Sequence, residues 1–466
     1  MTGTLEKAEG RRTAVALAII VLLVLGSCIL LDRPLVRGDG LAYFMWLDSL
    51  ARDGDLDLAN QAAKFAHVNT YHVFVYWRTG HHASVFPFGS AMLLVPFYWL
   101  AMLLDRLPIL HINDAYFLQH QGATFVYSLF PMLGANLYAV ASVVLTYLSA
   151  RKLASVRISM LAAMALFFGT PLLYYSSVEP LSSHVAGTFA VSVLLYLFVH
   201  WWVKRESNPS GREQVLWTAA GLAAGMAAVV RWQLMLVALP LGVLLLWQRR
   251  LRLLASFALG CLAIAWLVPY SWWRMFGSPW VIPAAEQNRA AFLVWPVHVG
   301  KVLFSGEKGL FAWAPLTALA VLGWIPLYRK DRTLGLTLTG IFLLQALING
   351  SVYDWWAGWG FGMRRMVELY PVFALGLAAL LATRLTREKM HRAYQIGVHL
   401  LTAGSTAFAL ILLLSHLNFI NTVVDRPQGD TAVRELRYQI RQSTPHITWL
   451  VIKDHYGPWA WHKPGP

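Results

Sequence analysis

The sequence is poor in charge, in acid and in cysteine. Only 13% of its 466 residues are charged, against about 25% in an average soluble protein, which excludes an ordinary soluble fold. The 23 acidic residues are outnumbered by 38 lysines and arginines. These cations stand in short clusters between apolar runs and form no nucleic-acid-binding motif, so no nucleic-acid partner is expected. Both cysteines, Cys28 and Cys261, lie inside apolar runs, and a disulfide is not expected.

The sequence is rich in long apolar runs, and 58% of its residues are hydrophobic. The long continuous runs predict an all-α polytopic membrane protein rather than a β-barrel, with about 11–13 transmembrane helices. A polar stretch at 105–134 predicts that one neighbouring span is a partial or surface helix. The predicted spans lie near 13–31, 84–104, 115–133, 134–150, 159–175, 184–203, 215–230, 233–247, 253–270, 310–328, 333–352, 366–384 and 394–415.

The loops between the spans predict the topology. Arg11 and Arg12 and the later basic loops fall on one side by alternation, and the positive-inside rule makes that side cytoplasmic. Residues 1–415 then form the membrane domain, and residues 416–466 form a short extracytoplasmic tail. The first outer loop, 32–83, includes "LAYFMWLDSLA", whose helical spacing and aromatic face predict a helix on the membrane surface. The basic loops are 151–157, 204–212, 248–252, 329–332 and 384–392.

Asp39 is the first candidate for chemistry. It stands in "RGDG" at the outer end of the first span, and the flanking glycines allow a sharp turn. A carboxylate at the membrane edge can accept a proton from a hydroxyl or bind a metal. The alternative is a loop aspartate that only marks the end of a span.

Three further aspartates, Asp53, Asp55 and Asp57, form a D-x-D-x-D pattern. A calcium loop of the EF-hand type would need glycine and glutamate where this chain has Leu58 and Lys64. A solvated turn is therefore the favoured interpretation.

Other polar residues stand in predicted outer segments. Glu179 and His184 lie in a short turn between two spans. A charged side chain so near the hydrocarbon is costly, so each is expected either to have a partner or to serve a function. The outer cations favour an anionic ligand, because guanidinium groups bind phosphate through a planar fork, although lipid headgroup pairing is the alternative for each. Trp355, Trp356 and Trp359 can stack on sugar rings or belong to the interfacial belt. The cations are Arg231, Arg274, Lys308, Arg364 and Arg365.

Three stretches together resemble the GT-C superfamily of membrane glycosyltransferases, in its bacterial branch related to protein O-mannosyltransferases and the lipid A aminoarabinose transferase. An acidic residue opens the first outer loop in "RGDGLAYF". A basic cluster, a span, Thr-Pro and an outer turn follow in "RKLASVRISMLAAMALFFGTPLLYYSS". A W-x-G-x-x-F-G-x-R motif stands in "WAGWGFGMRR". Several members have an acidic pair and a large outer domain, so the acceptor and the need for a second acid or a metal stay open.

The resemblance implies that a sugar moves from a polyprenyl-phosphate donor to a glycan, lipid or protein acceptor. The reaction would invert the anomeric carbon on the extracytoplasmic side of a bacterial inner membrane. No cofactor and no defined metal site are expected, while a divalent metal dependence stays open. Asp39 would be the base and Glu179 an orienting acid. The expected donor-binding residues are His184, Arg231, Arg274, Lys308, Arg364 and Arg365, with Trp355, Trp356 and Trp359 at the sugar.

Two other classes of function compete with this one. A transporter or flippase of lipid-linked glycans would place charge at mid-membrane and often shows inverted repeats, and neither is seen in the sequence. A non-catalytic envelope assembly protein would not depend on Asp39 or Arg364.

Overall fold

The computed structural model describes residues 2–31, 35–36, 38–68, 72–205, 211–286, 295–358 and 360–419. Over these ranges the chain is helical apart from turns and one two-stranded hairpin, which confirms the expected all-α architecture. The tail expected from residue 416 lies outside the described residues, except where the last helix continues to Phe419.

The N-terminal half contains α1 to α10 and the hairpin. Their bounds are α1 Thr2–Leu31, α2 Asp39–Asp48, α3 Ala59–Lys64, β1 Val73–Val75, β2 His82–Ser84, α4 Gly89–Leu104, α5 Asp114–Gln121, α6 Phe125–Ala150, α7 Val156–Phe168, α8 Leu172–Ser177, α9 Ser183–Lys204 and α10 Gly211–Val230.

The C-terminal half contains α11 to α21. Their bounds are α11 Ala238–Trp247, α12 Leu251–Ala265, α13 Leu267–Phe276, α14 Pro283–Glu286, α15 Val299–Phe304, α16 Leu310–Trp313, α17 Pro315–Leu322, α18 Trp324–Lys330, α19 Arg332–Gly350, α20 Tyr370–Leu381 and α21 Glu388–Phe419. A π-turn (Ser49–Asp53) and 3₁₀ turns at Pro108–Leu110, Trp232–Val237 and Arg364–Leu369 connect or extend them.

Among the described residues, seven helices are long and apolar enough to cross a membrane: Ala8–Leu31, Phe125–Ala150, Ser183–Lys204, Gly211–Val230, Leu251–Phe276, Arg332–Gly350 and Glu388–Leu417. Shorter apolar segments alternate with them, namely α7, the turn before α11 with α11 itself, α17 with α18, and α20. The seven long helices and these four shorter segments make eleven crossings within the described residues, which is the lower end of the expected 11–13.

The two ends of this bundle differ in chemistry. We call the end that holds Ser183, Arg231 and Gly350 the cavity face, and the end that holds Arg151 and Lys204 the basic face. Helix α9 runs from the cavity face to the basic face, and α10 returns. The basic clusters expected on one side of the membrane therefore gather at the end opposite the cavity.

Helix α6 corrects the number of crossings near the N-terminus. Its last turn meets the start of α1, where Nη2 of Arg151 lies 2.5 Å from Oε1 of Glu9. Helix α6 therefore runs from the cavity face to the basic face directly after α1 has crossed the other way. The separate spans expected near 115–133 and 134–150 are wrong, because Phe125–Ala150 is one continuous helix.

Helix α4 lies beside α6 without making a crossing of its own. The Tyr138 hydroxyl donates to the carbonyl oxygen of Leu93 over 2.8 Å, and the Tyr127 hydroxyl donates to Asp105 over 3.0 Å. These contacts make α4 antiparallel to α6, so α4 runs in the same direction as α1. The expected span near 84–104 is therefore wrong as a crossing, and α4 is the partial helix predicted beside the polar stretch at 105–134.

Close packing fixes the helix that leads to the cavity floor. A Cβ on Gly221 of α10 or on Gly260 of α12 would overlap the backbone of the other helix. Small residues of this kind let membrane helices approach closely. This contact holds α10, which ends at Val230 immediately before Arg231.

The first outer loop is more deeply packed than its sequence suggests. Residues 40–48 of α2 are all buried, so the expected helix is present but is covered rather than exposed on a surface. Asp48 is only 2% exposed. Its Oδ1 lies 2.8 Å from Nζ of Lys64 and 3.1 Å from Nε of Arg52, and it also accepts a hydrogen bond from Tyr98.

The three later aspartates form the expected solvated turn. The backbone N–H of Asp57 donates to Oδ1 of Asp55 over 3.1 Å, and Nδ2 of Asn60 donates to Oδ2 of Asp53 over 2.7 Å. Asp53 and Asp55 are exposed. These bonds order the chain that enters α3.

Candidate functional site

A cavity of about 330 Å³ opens at the cavity face of the bundle. It lies where the start of α2, the hairpin, the turn before α9, the end of α10, the end of α19 and the loop before α20 meet. The lining is rich in ionisable side chains, among them Asp39.

Asp39 begins α2 and lies in the cavity wall. The preceding Gly38 has a φ of 52°, a left-handed conformation that favours glycine. Oδ1 of Asp39 lies 2.9 Å from Nε2 of His72, and Oδ2 forms an ion pair with Nη1 of Arg364. Burial alone would raise the pKa of Asp39, but Arg364 and His72 outweigh it and hold that pKa well below its usual range. Asp39 is therefore ionised at neutral pH.

The hairpin holds His72 against Asp39. Strand β1 pairs antiparallel with β2, with Val73 opposite Ser84, and His72 stands directly before β1. The His72 ring lies 4.5 Å from the Phe86 ring, which in turn stacks 4.8 Å from Tyr43 of α2. The aromatic contacts and the strand pairing thus fix the position of the imidazole.

Arg364 reaches Asp39 from the far end of the chain, 325 residues away in sequence. It starts the 3₁₀ turn before α20, and its side chain is 17% exposed. A Cβ on Gly360 would lie 2.8 Å from Cδ of Arg364 and would also overlap the Tyr175 hydroxyl. Glycine at position 360 therefore leaves the space through which the guanidinium enters the cavity.

Arg231 forms part of the cavity floor together with a buried acid. Its Nε lies 3.2 Å from Oε1 of Glu368, and its Nη1 donates to Oγ of Ser183 over 3.0 Å. Nδ1 of His184 lies 2.8 Å from the same Glu368 oxygen. With its amide oxygen turned toward Arg231, Gln233 accepts from Nη2 over 2.9 Å. Arg231 and His184, both expected at the site, are thus joined through Glu368.

Arg365 is paired as well. Its Nη2 lies 2.9 Å from each carboxylate oxygen of Asp354, and its Nη1 donates to the Asp354 carbonyl oxygen over 3.1 Å. Both residues line the cavity. Each arginine that lines this cavity therefore has a carboxylate partner among the described residues.

Glu179 is the carboxylate of the cavity that has no cation within ion-pair distance among the described residues. Its Oε1 accepts a hydrogen bond of 2.8 Å from the Tyr174 hydroxyl. Burial raises the pKa of Glu179, and the negative charge of Asp39 raises it further. The two acids therefore differ, because Asp39 is held ionised while Glu179 is driven toward its neutral form.

Lys308 lies behind the cavity wall rather than in it. Its side chain is fully buried, and Nζ donates to the carbonyl oxygens of Gly358 and, over 2.5 Å, of Gly360. Both glycines line the cavity, whereas Lys308 reaches it only through them.

The remaining candidates do not meet at this cavity. Arg274 is exposed on α13 and is not among the lining residues. Trp355 is 5% exposed and Trp356 is half-buried, and neither lines the cavity. Trp359 lies outside the described residues. Within the described part of the chain, no group of three His, Cys, Asp or Glu side chains is placed to hold a metal ion.

Several residues of the site were not expected from the sequence. His72 stands in a polar segment without a motif. Gln233 follows Arg231 in an otherwise apolar stretch, and Asp354 directly precedes Trp355 and Trp356. Glu368 did carry a signal, because it stands next to the apolar run "LYPVFALGLAALL", where an unpaired charge would be costly. That signal indicates a buried partner but does not identify it.

Comparison with known proteins supports the fold. No family model matches the sequence, and no curated protein matches it either. ArnT from Cupriavidus metallidurans in the apo state aligns with a TM-score of 0.51 and 13% identity, over 90% of this chain and 66% of ArnT. The same protein bound to undecaprenyl phosphate aligns with a TM-score of 0.49 and 14% identity, over 95% of this chain and 75% of ArnT. A third structure is the archaeal oligosaccharyltransferase AglB from Archaeoglobus fulgidus in complex with an inhibitory peptide and a dolichol-phosphate. It aligns with a TM-score of 0.49 and 12% identity, over 96% of this chain and 56% of AglB.

The chain thus spans about two thirds of the length of apo ArnT. At this identity the likeness establishes the fold alone, which this chain shares with ArnT. The fold implied by the sequence resemblance is confirmed.

Proposed function

We propose that this protein is an integral membrane glycosyltransferase. It moves a sugar from a polyprenyl-phosphate donor to an acceptor on the extracytoplasmic side, with Asp39 as base. The observation that carries the proposal is the meeting of Asp39 with Arg364 in one cavity at the end of a GT-C-like bundle. A carboxylate and a guanidinium side by side are the groups needed to accept a hydroxyl proton and to bind the leaving phosphate.

The cavity arginines are already matched by carboxylates. Arg231, Arg364 and Arg365 pair with Glu368, Asp39 and Asp354 in turn. An anionic donor would therefore bind by sharing a guanidinium with its carboxylate partner, and the phosphodiester that joins a sugar to a lipid is an anion of this kind.

The Asp39–Arg364 pair also explains how an aspartate of low basicity can act as the base. Before a donor binds, the Arg364 charge lowers the pKa of Asp39 and so depresses its basicity. A donor phosphate bound at Arg364 shares the guanidinium, and the basicity of Asp39 rises as the donor binds. Attack of the acceptor oxygen on the anomeric carbon then breaks the bond to phosphate, and Asp39 takes the acceptor's proton. One displacement of this kind inverts the anomeric carbon.

The direct test uses the purified protein in nanodiscs with synthetic polyprenyl-phosphate sugars. Wild type should release polyprenyl phosphate and form a product of inverted anomeric configuration, as read by NMR. A comparison of cell-envelope glycans with and without the protein would identify the sugar and acceptor. Retention of configuration would exclude the single displacement, and unchanged glycans together with an inactive purified protein would exclude the transferase.

Orientation needs its own test. We expect the cavity face outside and the basic face in the cytoplasm. In a background without Cys28 and Cys261, a cysteine at the exposed Arg78 of the hairpin should react with an impermeant maleimide in intact cells. A cysteine at the exposed Glu388 should react only after the cells are opened. The reverse pattern would place the site in the cytoplasm.

The flippase alternative predicts a different phenotype. Loss of a transferase leaves unused donor on the outer leaflet, whereas loss of a flippase leaves it on the inner leaflet. We expect outer-leaflet accumulation, because three arginine–carboxylate pairs meet at the cavity on this face.

A further inference from the structure

A tight turn between α15 and α16 buries a lysine beneath the cavity. The backbone N–H of Gly309 donates to the Ser305 carbonyl oxygen over 2.7 Å, and the N–H of Glu307 donates to Oγ of Ser305 over 3.2 Å. Nε1 of Trp313 closes the turn by donating to the Gly306 carbonyl oxygen over 3.0 Å. The turn thus directs the side chain of Lys308 into the protein, where it is fully buried.

The buried ammonium binds the backbone of the loop before Arg364. Gly358, with a φ of 70°, and Gly360 both turn their carbonyl oxygens toward Nζ of Lys308. Two carbonyls that converge on one point need a donor with several hydrogens, and an ammonium supplies three. An apolar side chain of similar length would leave both oxygens without this donor.

The loop held in this way is the one that admits Arg364 to the cavity. Gly360 packs against Cδ of Arg364 without space for a Cβ, and Arg364 pairs with Asp39. Displacement of the Gly360 backbone would therefore move the guanidinium. Burial lowers the pKa of Lys308 well below its usual range, and the charge of Arg364 lowers it further. That cost is consistent with a structural demand for a donor at this position.

We propose that Lys308 is a positioning residue: it clamps the loop of Gly358 and Gly360 and acts on transfer only through Arg364. This differs from the donor-binding role expected from the sequence, because the ammonium is directed to backbone oxygens. The effect on transfer rests on the proposed function, whereas the clamp itself does not.

The clamp can be tested without any substrate. Hydrogen exchange of the full-length protein in nanodiscs should be about tenfold faster in peptides covering 353–364 for Lys308→Met than for wild type. Peptides of α6 and α9 should be unchanged. Lys330→Met, which removes an exposed lysine at the end of α18, is the matched control and should match wild type throughout. Unchanged exchange over 353–364 would overturn the clamp, whatever the activity.

The route through Arg364 can be tested by a double-mutant cycle. Lys308→Met should lower kcat/KM by about 10²-fold, as expected when a binding group is displaced by about an ångström. The double variant Lys308→Met with Arg364→Gln should be no slower than Arg364→Gln alone. If the losses in kcat/KM of the two single variants multiply in the double variant, Lys308 acts independently of Arg364 and the proposal is overturned. Lys308→Gln retains two N–H donors and should partly rescue the rate. If Lys308→Met does not fold, Lys308→Gln replaces it in the same double-mutant cycle.

Discussion

Two aspartates at opposite ends of α2 should separate chemistry from stability. Asp39 lies in the cavity, and Asp48 lies nine residues later within a buried network. Asp39→Asn keeps the size of the side chain and an oxygen for Arg364 but removes the base. We expect kcat to fall by about 10²–10⁴-fold, the usual contribution of a general base. That corresponds to about 3–5 kcal/mol of activation free energy.

The same substitution should also lower stability, because Arg364 loses its carboxylate partner. The Asp39 side chain is 14% exposed and that of Arg364 is 17% exposed, so contact with water moderates this loss. Asp48→Asn should lower stability without changing the rate per folded molecule. The Asp48 side chain is 3% exposed, whereas those of Lys64 and Arg52 are 39% and 35% exposed. Loss of this carboxylate should cost about 2 kcal/mol, less than a fully buried ion pair because its partners reach water.

The assay is single-turnover release of polyprenyl phosphate in nanodiscs, paired with the thermal midpoint of each variant. Both variants should melt below wild type, but only Asp39→Asn should lose transfer per folded molecule. Asp48→Asn should keep a near-normal rate per folded molecule. An Asp39→Asn protein that transfers at a rate within about threefold of wild type would refute the base assignment, since a general base contributes far more.

Three further predictions concern the rest of the site. Because the folded protein raises the pKa of Glu179, its stabilising effect is complete below the unfolded pKa and is lost as pH rises through the folded value. Glu179→Gln should therefore raise the thermal midpoint more at about pH 8 than at about pH 5, and an equal shift at both would contradict the assigned direction. Gly360→Ala should displace Arg364 and slow transfer by at least about tenfold, whereas Gly397→Ala, whose added Cβ meets nothing within 4 Å, should not. Arg365→Lys loses the guanidinium whose Nη2 binds both carboxylate oxygens of Asp354 and whose Nη1 binds the Asp354 carbonyl oxygen, and it should raise the KM for donor about tenfold. An unchanged KM would remove Arg365 from the donor site.

The sequence was sufficient for the spans that carry strong, isolated patterns. Helices α9, α10 and α19 begin and end within a few residues of the expected bounds, because each is a continuous apolar run between polar loops. It failed around α4 and α6. There, the apolar length of Gly89–Leu104 resembles a span, and only the contact with α6 shows that the helix runs alongside without returning to the basic face.

The site was predictable only in part for a related reason. Asp39, Arg231 and Arg364 stood out because charge is rare beside long apolar runs. Their partners could not be derived, since Asp39 meets a histidine from the hairpin and an arginine from the other end of the chain. Glycine at 360 illustrates the same limit. Gly360 lies within the W-x-G-x-x-F-G-x-R motif, but only the fold shows that the group packed against it is Arg364.

The pairing of every cavity arginine with an acid explains how these partly buried cations are tolerated. An unpaired guanidinium there would either lose hydration or draw in an anion, whereas Asp39, Glu368 and Asp354 supply that charge internally. In the proposed reaction, a donor phosphate would compete with these carboxylates. The most accessible competitor is Asp39, because Glu368 is fully buried and Asp354 binds Arg365 through both oxygens. The phosphate is therefore expected to bind where its arrival changes the basicity of Asp39, which couples donor binding to the first proton transfer.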